Sequence, residues 1–202
     1  MHITDVRLTR TPTQARAREK VVRALDAAER LLERGGESAL SLTTVCEEAG
    51  LSAGTVYQYL PDRDAIIAAL NDRFSAELEQ VVRRMVDTVG SRPLDDGVDQ
   101  AVTLLAAVYR SAAGRRALQL LPRPLDPAVI SHRERMVGHV HDVLAGTGHL
   151  GADDADRRHA RAVYVACEAL VREAFTGDPD GDESLLQAAR VMMRSYLAQI
   201  PA

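Results

Sequence analysis

The chain has 202 residues, 46% of them hydrophobic and 27% charged, a length that can bury a sizeable core in one domain or two small ones. With 13 glycines and 8 prolines it is neither low-complexity nor collagen-like, and no apolar run approaches the roughly 20 residues of a membrane span. The net charge of -4 excludes a nucleic-acid coat protein, which is basic throughout, yet leaves room for a small DNA-reading segment on an acidic body.

Positive charge gathers at the start. Residues 1–23 hold Arg7, Arg10, Arg16, Arg18, Lys20 and Arg23 against Asp5 and Glu19. Residues 1–17 lack an apolar core and so do not read as a secretory signal; residues 1–18 are expected to form a flexible basic arm. Val21, Leu25, Ala28 and Leu32 then follow a 4-3-4 spacing, one face of a first helix. Gly35-Gly36 ends it, since glycine accepts a left-handed C-terminal conformation cheaply. A short helix is expected over 42–48, capped by Ser41 and stopped by Gly50. Ser52 is placed to cap a third helix, which ends before Pro61.

A long helix starts at Asp62, with Ile67, Leu70, Phe74, Leu78, Val81 and Met85 in one stripe, and Ser91-Arg92-Pro93 breaks it. Further helices are expected over 95–112, after the Asp126-Pro127 cap to about 145, over 153–176 and over 183–200, with a short helix or turn over 114–121 and a break at Pro122-Arg123-Pro124. The last two carry apolar residues on two adjoining faces, a surplus that suggests a helix–helix interface with another subunit. Val163, Leu170, Leu186, Met192, Met193 and Leu197 are the candidate interface residues. No strand alternation of useful length occurs, so the fold class expected is all-α.

The informative stretch is LSLTTVCEEAGLSAGTVYQYLPDRDAII, residues 40–67. Two short helices flank a tight Ala49-Gly50-Leu51-Ser52 turn, the layout of a helix-turn-helix. Val45, Ala49, Leu51 and Val56 can lock the pair together. The second helix then exposes Ala53, Gly54, Thr55, Tyr57, Gln58 and Tyr59. Small residues at its start let backbone approach DNA, its first N–H groups suit phosphate, and the hydroxyls of Thr55, Tyr57 and Tyr59 can bond phosphate oxygens. Gln58 can pair with adenine in the major groove. Tyr57 and Tyr59 are two apart, roughly 200° around a helix, so one can be packed while the other is exposed.

These residues, with the helix-1 pattern 21–32, the Gly35-Gly36 stop, Ser41-Leu42-Thr43-Thr44-Val45, Gly54-Thr55-Val56-Tyr57-Gln58-Tyr59-Leu60 and Arg63-Asp64, resemble the DNA-binding domain of the TetR family of bacterial transcriptional regulators. The resemblance implies an N-terminal three-helix helix-turn-helix DNA-binding domain, residues 19–62, and a helical ligand-binding and dimerisation domain, residues 63–202. It implies DNA contacts by Thr43, Ala53, Gly54, Thr55, Tyr57, Gln58 and Tyr59, with Arg63 gripping phosphate where the family usually has lysine. Leu60 stands where the family usually has phenylalanine. The implied protein is a cytoplasmic homodimeric repressor on a palindromic double-stranded DNA operator, released by a small apolar effector. Met85, Leu105, Tyr109, Met136, Val140, Tyr164 and Cys167 are candidate ligand-lining residues, each of which also reads as plain core.

Residues 1–63 hold nine basic and nine acidic residues, so Glu47 and Glu48 must point away from DNA. The N-terminal arm either supplies compensating phosphate or minor-groove contacts or is a solvated tail. Asp178, Asp180 and Asp182 lack the glycine and the bidentate glutamate of a calcium loop and read as an exposed loop. His132 and His139 share a helix face without zinc-site spacing. Cys46 and Cys167 are the two cysteines, which argues against a disulfide framework and fits a reducing compartment. No cofactor or metal is expected. An all-helical enzyme would need a nucleophile–base pair or a metal motif, and neither is present. A protein-interaction module would keep the helix-turn-helix without salt-sensitive DNA binding.

Overall fold

The 4-3-4 stripe is the buried side of α1 (Ala15–Gly35), where Val21, Leu25, Ala28 and Leu32 are all inaccessible. A computed structural model describes residues 6–89, 93–110, 127–151 and 153–200, with all their side chains except those of 85–89, 94 and 128. After a 3-10 turn (Glu37–Ala39) come α2 (Leu42–Ala49), α3 (Ala53–Tyr57), α4 (Arg63–Val89), α5 (Leu94–Arg110), α6 (Pro127–Gly146), α7 (Asp154–Ala174) and α8 (Glu183–Leu197). Among the described residues there is no strand, and no helix is long and apolar enough to cross a membrane. The expected break at 91–92, the 114–121 segment, the 122–124 break and the Asp126 cap lie outside the described residues.

The described residues divide into two compact units, one up to Ala76 and one from Glu77 onward. The division therefore falls inside α4 rather than at 62/63. The reason is packing: Ile66, Ala69 and Leu70 join Leu25, Leu32, Leu40, Val45, Val56 and Leu60 in the first unit's core. The arm expected over 1–18 also merges with this unit from residue 6 onward. Val6 is buried in the core, Leu8 packs on it, and α1 already begins at Ala15.

In the second unit α6 packs against α7, α7 against α8, and α5 against α7 and α8. Val98, Val137, Leu144, Leu150, Ala160, Met193 and Leu197 form one core cluster. Asp153 caps α7 by accepting from the Asp156 N–H at 2.8 Å, and Asp182 caps α8 by accepting from Ser184 N–H at 2.8 Å. Hydrogen bonds to the ionised form hold both carboxyls below their ordinary range.

Candidate nucleic-acid interface

The geometry of the α2–α3 pair follows from local chemistry. Ser41 Oγ accepts from Thr44 N–H at 3.1 Å, and Thr44 Oγ1 accepts from Ser41 N–H at 3.0 Å, a reciprocal cap at the start of α2. At its end Gly50 takes φ 62 and ψ 41, left-handed backbone that a side chain resists. Leu51 N–H then closes on the Cys46 carbonyl at 3.0 Å. Val45, Ala49 and Val56 are buried and Leu51 half-buried, so the pair is locked as the spacing requires.

Ser52 sits at the start of α3, but its side chain caps no backbone N–H. Its hydroxyl pairs with the Thr55 hydroxyl instead, at 2.9 Å. Helix α3 stops at Tyr57, so Gln58 and Tyr59 belong to the turn that follows. Val56 and Leu60 are buried and hold this short helix to the core. On its other side Ala53, Gly54 and Gln58 are exposed, and Tyr57 is 60% exposed. Tyr59 is half-buried against the core, and its carbonyl accepts from Thr9 N–H at 3.1 Å. The two tyrosines thus take the split that their spacing allows. A side chain at Gly54 would meet nothing within 4 Å, so nothing inside the chain requires glycine there. Thr43 is exposed on α2, and Thr55 is half-buried.

Arg63 is exposed at the start of α4, where its guanidinium donates to the Glu37 carboxylate at 2.8 Å and to the Glu37 carbonyl at 2.9 Å. Glu37 was not visible as its partner in the sequence, because 26 residues separate the two. Glu48 accepts from Arg30 at 2.9 Å and Arg34 at 2.5 Å, and those hydrogen bonds hold its carboxyl below the ordinary range. Arg7 is bound to Asp72 through both its backbone N–H, at 2.7 Å, and its side chain. Cys46 is buried, and burial, with Glu47 beside it, pushes its thiol up; such a thiol is a poor nucleophile.

The second unit holds a cavity of about 130 Å³. Leu105, Met136, Val140, Tyr164 and Cys167 line it, together with Leu78, Val81, Val82 and Glu168. Tyr109 does not; it is buried, stacks on Phe175 at 5.8 Å between ring centroids and donates to Glu168 at 3.1 Å. The Met85 side chain lies outside the described residues. Arg172 also donates to Glu168, at 3.0 Å, so the cavity's carboxylate is already partnered. Burial, then Glu168, pushes the Cys167 thiol up to about 11. Glu79 of α4 accepts from Arg135 of α6 at 2.9 Å and lies 3.4 Å from His139 on the same helix as Arg135. Burial raises its carboxyl, and Arg135 and His139 outweigh this, so it stays below the ordinary range. Among the described residues no group of three His, Cys, Asp or Glu is arranged to hold a metal ion.

The candidate interface residues divide sharply. Leu186, Met193 and Leu197 are buried inside their own unit, so they are not available to a partner, while Val163 is half-buried and lines the cavity. Helix α8 presents those side chains to its own chain, with α5 and α7 packed against it. Leu170 is half-buried. Met192 is 51% exposed, beside Val191 at 50%, and α7 exposes Val165. The sequence reading missed Val165 and Val191, since spacing alone does not say which apolar face the chain covers itself.

Residues 92–200 match the family model described as tetracyclin repressor-like, C-terminal domain, and residues 24–70 match that of bacterial regulatory proteins, tetR family. An uncharacterized HTH-type transcriptional regulator of Mycobacterium tuberculosis, strain H37Rv, is 26% identical over 171 residues, 84% of this chain and 82% of its own. The crystal structure of a TetR-family transcriptional regulator from Streptomyces coelicolor has a TM-score of 0.65 at 26% identity, covering 90% of this chain and 99% of that one. The multidrug binding protein EbrR, complexed with imidazole, has the same fold, with a TM-score of 0.65 at 22% identity over 96% of this chain and 98% of its own.

Proposed function

The chain belongs to the TetR family of bacterial transcriptional regulators and carries that family's DNA-binding helix-turn-helix, and from that premise we propose that it is a cytoplasmic homodimeric repressor, released from a palindromic operator by a small apolar ligand. Each subunit places α3 in a major groove, and the half-site spacing follows the separation of the two reading heads. Tyr57, Gln58 and Thr55 supply the contacts from α3, with Ala53 and Gly54 giving the backbone room. Thr43 and Tyr59 border them. Arg63 exchanges its exposed pair with Glu37 for a phosphate, a low-cost exchange because exposed ion pairs contribute about 0–1 kcal/mol.

One observation carries the DNA-reading part. A helix anchored by Val56 and Leu60 leaves a large aromatic, Tyr57, uncovered beside an unobstructed Gly54. Burying Tyr57 against the core would be favourable, so its exposure fits a residue kept for an external partner. The test is to select binding sites from a random duplex pool with the protein, then titrate the best site with Tyr57→Phe. Loss of one hydroxyl bond to a phosphate is expected to weaken binding about tenfold, in line with roughly 1.5 kcal/mol for a bond to a charged group. Equal affinity with an intact fold would remove Tyr57 from the interface.

The ligand part rests on the cavity. Its wall is almost wholly aliphatic, and Glu168 is engaged by Tyr109 and Arg172. An uncharged apolar molecule suits it, because a buried unpaired charge is costly. Helix α4 gives Ile66, Ala69 and Leu70 to the first unit's core and Leu78, Val81 and Val82 to the cavity wall. A ligand that prefers one setting of that helix shifts DNA affinity, and one without such a preference shifts nothing. Val165, Val191 and Met192 are the residues proposed for the subunit interface.

A further inference from the structure

Resting on the DNA-reading role proposed for α3, we propose that the reading unit grips DNA with a second element, a cationic edge on α1 formed by Arg16, Lys20 and Arg23 that holds the phosphate backbone beside α3. Steps of four and three residues place the three side chains within about 60° of one another around the helix. All three are exposed, and Val21, Leu25 and Leu32 of the core stripe lie on the far side of the helix. Glu19 is the acid on the flank of this edge, and it leaves the edge positive.

Two contacts fix where the edge runs. Lys20 rims a shallow depression with Thr55 and Tyr59, so it stands beside α3. Arg23 donates to the Ala49 carbonyl at 2.6 Å, at the end of α2, and its guanidinium lies 3.5 Å from where a side chain on Gly50 would begin. The edge therefore passes from the flank of α3 to the turn that precedes it. Thr9, held to Tyr59 through backbone, brings exposed Arg10 to the same end.

Charge accounting points to this edge. In the first unit Arg63 is bound to Glu37, Arg30 and Arg34 to Glu48, Arg7 to Asp72 and Arg73 to Asp26 and Glu29. Among the described residues no carboxylate pairs with Arg16, Lys20 or Arg23. A unit whose first 63 residues balance nine cations against nine anions holds a polyanion most readily where its cations are left unpaired by its own acids, and elsewhere only by exchanging an exposed pair such as Arg63 with Glu37. Lys20 and Arg16 supply point charges for phosphate. Arg23 has one guanidinium nitrogen on Ala49, which leaves its other N–H groups for phosphate.

The experiment titrates the full-length protein onto a random-sequence duplex of about 30 base pairs across roughly 50–200 mM salt, where binding reports the sequence-independent phosphate contribution. Arg16→Gln and Lys20→Gln are each expected to reduce the slope of log K against log salt by about 0.9, and the double variant by about 1.8. Lys20→Arg keeps the slope. Arg34→Gln, whose charge Glu48 already holds, also keeps it, and Tyr57→Phe weakens binding without changing it. Helical circular dichroism and the melting midpoint verify that each variant is folded. An unchanged slope in the folded double variant overturns the α1 edge while leaving α3 as the reading element. Absence of any salt-dependent binding by the unmodified protein overturns both.

Discussion

The first unit fills its interior, and the second leaves part of its interior empty. Leu25, Leu32, Val45 and Ile66 have no accessible surface, and the depression between α1 and α3 is too small to admit a water. The second unit leaves a partly open cavity of about 130 Å³ lined by half-buried Val140, Val163, Tyr164 and Cys167. Were it closed, such a void would represent at most roughly 3 kcal/mol of packing left unmade, at about 24 cal/mol per Å³. A fitting apolar molecule recovers some of that. The contrast matches the two tasks. Reading DNA needs side chains held in one geometry, whereas responding to a ligand needs a packing with more than one arrangement of similar energy.

The largest effect that tests this contrast comes from two charges placed on α8. Leu197→Glu buries a carboxylate without a partner in the second unit's core and is expected to cost more than about 4 kcal/mol, with loss of that unit's helical signal. Met192→Glu lies on the exposed face five residues away. It is expected to keep the helical signal and to halve the sedimenting mass, by separating two like-charged faces. A dimer that survives Met192→Glu removes this face from the proposed interface. Folded Leu197→Glu would mean that the second unit is far looser than its buried residues suggest.

A smaller effect compares the two interiors directly. Leu25→Ala in the filled core is expected to cost about 2–5 kcal/mol, read as a drop in the urea midpoint. Leu105 borders the void and is half-buried, so Leu105→Ala gives up less buried surface, about 1 kcal/mol. Equal costs at the two positions would mean that the cavity wall is as tightly held as the reading unit.

The filled unit was also the legible one, because its signals are local. Ser41, Gly50 and the 4-3-4 stripe each act within four residues, and the structure has each in the expected role. Ser52 was misjudged because Thr55 offers a competing hydroxyl, a choice that propensity does not decide. Tyr59 fell outside α3 because the chain turns to meet Thr9, fifty residues away in sequence. In the second unit periodicity marked apolar faces correctly without saying what covers them. Leu186, Met193 and Leu197 were read as a subunit interface because the packing of α5 and α7 against α8 is tertiary. Tyr109 shares a face with cavity residues, yet it turns to Phe175 and Glu168. The domain boundary moved for the same reason: nothing in the α4 stripe marks Ala76 as the point where its neighbours change.

The smallest expected effect lies inside the reading unit, between Ser41 and Ser52. Ser41→Ala removes the acceptor for Thr44 N–H at the start of α2 and is expected to cost about 1 kcal/mol. Thr44 can still accept from Ser41 N–H, so half of the reciprocal cap survives. Ser52→Ala removes no backbone hydrogen bond, only the hydroxyl pair with half-buried Thr55. Water replaces a lost hydroxyl partner at such a site, so the cost is expected to be only a few tenths of a kcal/mol. The two midpoints, measured under one denaturant, then separate by most of the α2 cap. If Ser52→Ala costs as much as Ser41→Ala, the hydroxyl pair is what sets the entry angle of α3. The rigidity of the reading helix would then depend on a side-chain contact at its surface as well as on Val56 and Leu60 beneath it. A Thr55 hydroxyl that also donates to phosphate must then accept from Ser52, since its single proton cannot serve both bonds.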